Sequence, residues 1–234
     1  MRIFLKGFFM CFSAGASITA GVLLTFAGTE TLRKVHKPSQ IAFACIPLFF
    51  AFQQFSEGIV WLTIPRKEYA DLQATATYIF LVMAQFVWPI LVPVAVLLME
   101  ENKTRKRVLW SLLIVGAIVS FYYLHGLVVY HAHAEISYMH INYKYKRNFQ
   151  SPLSNIPTAL YLIATLAPFF ISSAKRAYIP GIIIGLSAII SVIFYTECLI
   201  SIWCFFAAVV SFVIYYTIRE SHREFHHERE RYSG

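Results

Sequence analysis

The sequence predicts an all-α integral membrane bundle of seven transmembrane helices, with its N-terminus outside and its C-terminus inside. Three observations carry this. Hydrophobic residues make up 58% of the chain and charged residues only 14%, far from the average soluble balance. The charges collect in short clusters between apolar runs long enough to cross a hydrocarbon core of roughly 30 Å. The net charge of +8 comes from 20 Lys and Arg, all at or beyond the ends of those runs, so they read as topology signals rather than as a nucleic-acid surface.

The expected helices are Cys11–Gly28, Gln40–Ile64, Leu72–Met99, Val108–Tyr130, Ile156–Ser172, Ala177–Tyr195 and Glu197–Ile218, each satisfying its own backbone within the span. Residues 1–9 resemble a secretory signal, with Arg2 and Lys6 before apolar residues, but Met10 stands where a cleavage site needs a small residue. The segment is therefore an extension leading into helix 1. The third run is long enough to tilt, or to bend at Pro89 and Pro93. Gly181 and Gly185 form a GxxxG expected to pack helix 6 inside the bundle. The spans contain no lysine for a retinal Schiff base.

Thirteen of the 20 Lys and Arg follow helices 1, 3, 5 and 7: Arg33, Lys34 and Lys37, then Lys103 to Arg107, then Lys175 and Arg176, then four in the tail. The other seven lie on the opposite side, which places that thirteen-residue side in the cytoplasm and the protein in the cytoplasmic (inner) membrane. Residues 10–218 then form the transmembrane domain, and residues 219–234 a charged cytoplasmic tail continuing helix 7.

This orientation gathers the unusual polar residues on the outer side. Gln53, Gln54 and Glu57 fall in the outer half of helix 2, with Glu57 about 10 Å short of Ile64 at 1.5 Å per residue. His125 lies near the outer end of helix 4, and the loop His131–Asn155 supplies His131, His133 and Glu135. Glu197, Ser201 and Cys204 share one face of helix 7, and Cys11 opens helix 1. The expectation is an outward-open pocket lined by helices 2, 4 and 7 and roofed by that loop.

An ionised carboxylate facing lipid is costly, so Glu57 is either a buried hydrogen-bonded lock between helices or a functional group. His131, Ala132, His133, Ala134 and Glu135 alternate at period two, so an extended segment would turn the three polar side chains to one side, as metal ligation requires. The same histidines also suit a plain interfacial loop. Among four cysteines without CxxC spacing, Cys45 reads as packing, and Cys11 and Cys198 are near enough in the bundle for a disulfide.

The stretches Met10-Cys11-Phe12-Ser13-Ala14, Gln53 to Trp61 and Ser201 to Ala208 together resemble a bacterial family of uncharacterised small polytopic membrane proteins whose members typically begin at Met-Cys-Phe-Ser-Ala. The resemblance implies that Met10 is an alternative start and that Cys11, Glu57 and Cys204 merit testing; it brings no reaction.

Two functions follow as expectations. The first is a metal-dependent hydrolase acting on a lipid or amphiphile, with zinc held by His125, His131 and His133 and with Glu57 as general base. The second is a ligand-binding membrane sensor or receptor without catalysis. Membrane lipids and a lipid or amphiphilic ligand are the expected partners, and nucleic acid is not.

Overall fold

A computed structural model describes residues 13–137, 140–145, 155–174, 176–194 and 210–233. These residues are predominantly helical: α1 Ala14–Arg33, α2 Ile41–Thr63, α3 Ala70–Val82, α4 Trp88–Met99, α5 Lys103–Tyr130, α6 Asn155–Ile171, α7 Tyr178–Phe194 and α8 Val210–Ser233. Between α5 and α6 stands an antiparallel hairpin, β1 Ala132–Ser137 and β2 His140–Tyr145. Three stretches are long and apolar enough to cross a membrane, Pro38–Thr63, Lys67–Met99 and Lys103–Tyr130, while Ile156–Ile171 and Tyr178–Ile190 are shorter apolar helices.

Local chemistry explains the helix ends. Ser13 caps α1 by accepting from the Ala16 amide at 3.2 Å, and Asn102 caps α5 by accepting from Thr104 and Arg105 at 2.9 and 3.1 Å. That second cap starts α5 at Lys103 rather than at Val108, because the charged run forms the helix's first turn instead of a loop. α8 runs through residues expected in the tail, to Ser233.

The long third run is one helical column, α3 then α4, joined by a π-helical turn at Met83–Val87. The irregularity sits just before Pro89 rather than at it. Pro89 has no N–H to donate to Gln85, and its ring would clash with that carbonyl in an α-helix, so the wider turn accommodates both. Freed carbonyls find partners on neighbouring helices: Ser120 Oγ donates to Phe86 O at 2.7 Å and Tyr161 Oη to Ala84 O at 2.6 Å. Pro93 likewise leaves the Pro89 carbonyl without its helical donor, and Gly116 of α5 lies directly against that oxygen, where a Cβ would sit 1.9 Å away.

One apolar core joins Leu24, Phe43, Phe50, Trp88, Phe169, Ile184 and Ile214, with Phe50 stacked on Trp88 at 4.0 Å. A second core seats the hairpin on α2, α3 and α5 through Val60, Phe80, Leu127, Ile141 and Tyr143, with Phe80 stacked on Tyr143 at 4.8 Å. Gly181 of α7 faces Phe169 and Phe170 of α6, and Gly185 faces Leu166, so the GxxxG packs within the chain.

The two ends of the bundle differ. At one, the α1–α2 and α6–α7 links meet α8, and the α4–α5 link meets those two links. Gln40 Nε2 donates to Ser221 Oγ at 3.1 Å, Arg176 pairs with Glu220 at 2.7 Å, and Lys37 lies 3.8 Å from Glu101. The buried Glu100 carboxylate accepts from the Glu101, Asn102 and Ser173 amides and from Ser173 Oγ. The hairpin marks the opposite end, against the start of α3.

Candidate functional site

Within the segment expected to roof the outer pocket, Ala132–Ser137 and His140–Tyr145 form a hairpin. In β1 the residues Ala132 and Ala134 are buried, while His133 and Glu135 are half-buried on the other strand face. Glu135 is ion-paired with Lys144 of β2. His131 stands just before the strand at φ 47°, a left-handed conformation uncommon outside glycine. Its ring therefore leaves the period-two alternation that carries His133 and Glu135.

Between β1 and α3 lies an open cleft of about 370 Å³, lined by Ala70, Gln73, Ala74, Thr77 and Tyr78 from the helix and by residues 131–134. The helical lining falls at i, i+3, i+4, i+7 and i+8, one continuous stripe. Four alanines, Ala70, Ala74, Ala132 and Ala134, leave the room. Gln73 Nε2 donates to Ala134 O at 3.2 Å and fixes the strand to the helix. The Tyr78 hydroxyl and His131 Nδ1 share a hydrogen bond at 3.3 Å.

Two polar atoms at this cleft are buried without a partner among the described residues: Thr77 Oγ1, on a side chain 1% exposed, and His133 Nδ1. Leaving such a group unsatisfied costs about 1–3 kcal/mol, and both atoms lie behind the surface of the cleft. His140, at the turn end of β2 opposite Ser137, is buried outside the cleft lining, and burial holds its imidazole below the ordinary range.

The other expected site residues fall elsewhere. Glu57, Gln53 and Gln54 are buried in α2 and do not line the cleft. Gln53 Oε1 accepts from Trp88 Nε1 at 2.7 Å, while its Nε2 and both polar atoms of the Gln54 side chain have no partner among the described residues. His125 is exposed on α5, within the outward stripe that also presents Ile114, Ile118, Phe121 and Val128. Among the described residues no three His, Cys, Asp or Glu side chains gather as a metal site, so His125 does not join His131 and His133. Cys45 is a free, half-buried thiol. Cys11, Glu197, Ser201 and Cys204, with the Cys11–Cys198 pairing, lie outside the described residues.

Gln73, Thr77 and Tyr78 are not among the residues that sequence reasoning selects. They do leave a signal: Gln73 and Thr77 recur at i, i+4 with Ala70 and Ala74 inside an apolar helix, a small and polar stripe on one face. The clamp beneath the hairpin, Tyr145 Oη donating to Gln85 Oε1 at 2.7 Å, joins residues 60 positions apart and leaves no such signal. Burial pushes the Tyr145 phenol above its ordinary range.

A sequence model for a family of unknown function (DUF6629) matches residues 10–229. No curated protein and no solved structure matches the chain.

Proposed function

The chain belongs to this family of unknown function, and on that premise we propose that it is a multi-pass protein of the cytoplasmic membrane that binds a small ligand in the cleft between α3 and β1, as a sensor or receptor. The observation that carries the reading is an open cleft whose wall of alanines also carries polar side chains from two elements, Gln73, Thr77 and Tyr78 of α3 and His131 and His133 of the hairpin. Small-molecule sites are concave and mostly apolar, with a few convergent polar groups, and this cleft has that composition. Its position at a bundle end suits a ligand arriving from water or from the lipid headgroup layer.

Seven spans with the hairpin outside agree with the distribution of Lys and Arg, since the links that meet α8 are the basic ones. The apolar side chains that α5 and α7 turn outward, among them Trp110, Ile118, Leu186, Ile189 and Ile193, are the surface such a bundle would give to lipid.

The hydrolase reading keeps one supporting observation: His131 and His133 line the same cleft. With zinc there, two imidazoles would need further ligands from outside the described residues, and Glu57 would have to act from α2. One preparation separates the readings. The purified protein is analysed for metal and for co-extracted small molecules, beside an Ala74→Trp variant that fills the cleft. Ligand binding predicts a co-purifying organic molecule lost on filling; stoichiometric zinc lost in His131→Ala and His133→Ala would replace it with the hydrolase. A molecule retained in folded Ala74→Trp would place binding elsewhere and reject the cleft.

A further inference from the structure

From the edge that β1 turns to the cleft, we infer that the ligand is a short, uncharged peptide segment, bound in extended form as a third strand of the hairpin. The inference rests on the ligand-binding reading and assigns its chemical class.

The hairpin is a two-stranded sheet, so β1 has a second edge that β2 does not cover. The register identifies the residues that face it. Ser137 pairs with His140, with two residues between them, and the pair closing so short a connection exchanges main-chain hydrogen bonds. Along an antiparallel ladder, bonded and non-bonded pairs then alternate. His133 and Glu135 therefore bond to Lys144 and Asn142, while Ala132, Ala134 and Ile136 point their N–H and C=O groups away from β2.

One side-chain contact agrees with this assignment. Gln73 Nε2 of α3 donates to Ala134 O, making the bond that the N–H of an added strand would make. The other outward groups at the cleft, the N–H and C=O of Ala132 and the N–H of Ala134, have no main-chain partner among the described residues. A row of such groups is a template for another strand.

The cleft brings this edge within reach of a ligand, since residues 131–134 form its wall opposite the α3 stripe. The methyl groups of Ala132 and Ala134 belong to the hairpin core, so these two residues turn main chain to the cleft. That wall spans roughly 13 Å of strand, enough for about four residues of an added one. Ala70 and Ala74, opposite, leave space for its side chains. Among the described residues the lining contains no carboxylate, lysine or arginine, so a charged side chain would lose water without gaining an ionic partner. Two copies of the chain cannot pair β1 with β1, because each edge has its own α3 beside it.

The test uses the full chain in phosphatidylcholine nanodiscs. A synthetic pool of hexapeptides, acetylated and amidated so that their ends carry no charge, is equilibrated with the parent and with Ala74→Trp, and retained peptides are read by mass spectrometry. The expected result is uncharged peptides held by the parent and lost in the filled variant. N-methylation of the tightest binder, one residue at a time, should weaken its calorimetric affinity about fivefold at alternate residues of the pairing stretch and leave the intervening ones unchanged. Ala134→Pro deletes an outward N–H and spares the ladder, so it should weaken the same peptide about fivefold or more, with unchanged tryptophan fluorescence reporting an intact fold. The methylated series leaves the protein unaltered and decides the question even where that variant unfolds. Hydrogen exchange tests the other occupants. Without peptide, the Ala132 and Ala134 amides should exchange faster than those of His133 and Glu135, and slow once peptide is added. Equal protection before any addition overturns the inference: independent of protein concentration, it assigns the edge to another segment of this chain, and growing with concentration, to a second copy. Retention of no peptide, or equal tolerance of N-methylation at every position, also overturns it. So does a non-peptide molecule that co-purifies with the parent and is lost in Ala74→Trp, a result that leaves the ligand-binding reading standing.

Discussion

Glu100 shows how a single side chain can join three segments of this chain. It lies 2% exposed at the end of α4. Its Oε1 takes the Glu101 and Asn102 amides at 3.0 and 2.9 Å and the Ser173 hydroxyl at 2.5 Å, and its Oε2 takes the Ser173 amide at 2.7 Å. Burial alone pushes this carboxyl up, but the Ser173 and backbone hydrogen bonds outweigh it and hold the group below the usual carboxylate range. Because the folded state holds the proton less tightly than the unfolded chain, the linked stability is complete above the unfolded value of about 4.3 and fades as pH falls through the lower folded value. Glu100→Gln keeps the size but brings an NH₂ to face donors, so it should cost about 1–3 kcal/mol at pH 7. Thermal melting in detergent should show the gap between the two proteins narrowing at acid pH; a gap that stays constant from pH 7 to pH 3 would mean that ionisation of Glu100 contributes nothing.

The π-turn between α3 and α4 follows a similar logic at the scale of elements. Its carbonyls are satisfied by Ser120 and Tyr161, and Gly116 packs directly on the Pro89 oxygen, so the turn is a joint between three helices. A Cβ at residue 116 would meet Pro89 O at 1.9 Å and Pro89 C at 2.9 Å. Backbone atoms cannot rotate aside, and α4 and α5 would have to part. Gly116→Ala should destabilise the bundle by about 1–3 kcal/mol or more, as overpacking does, while Gly185→Ala, whose Cβ would meet only Leu166 at 4.0 Å, should melt within about 0.5 kcal/mol of the parent. Similar melting temperatures for the two variants would contradict this packing.

The same joint explains what could be read in the sequence. Apolar runs predict α2, the α3–α4 column and α5 nearly to their ends, because lipid and core demand the same residues. The π-turn is not legible there, since it needs Ser120 and Tyr161 from distant elements. The hairpin escapes sequence reading because burial on both faces of β2, at His140, Ile141, Asn142 and Tyr143, erases the alternation that reveals a one-sided strand. The site is half legible: His131 and His133 do line a cleft, but the helix opposite them is α3, where Thr77 looks like one more polar interruption, and His125 belongs to the exposed stripe of α5.

For the whole molecule, the distribution of charge and the distribution of links make one prediction together. The α1–α2 and α6–α7 links meet α8, and the α4–α5 link meets the α1–α2 link, at the end carrying most of the Lys and Arg, and the hairpin stands at the other. Basic loops are retained in the cytoplasm, so the cleft should open outward. Single cysteines on a background with Cys11, Cys45, Cys198 and Cys204 replaced by serine can report this in intact cells. A cysteine at Lys67, exposed beside the start of α3, should react with a membrane-impermeant maleimide added outside, and one at Lys103, at the start of α5, should react only after the membrane is permeabilised. Both positions are exposed, so unequal labelling reflects sidedness rather than access. Labelling of Lys103→Cys from outside, with Lys67→Cys protected, would invert the bundle, and the ligand would then have to come from the cytoplasm.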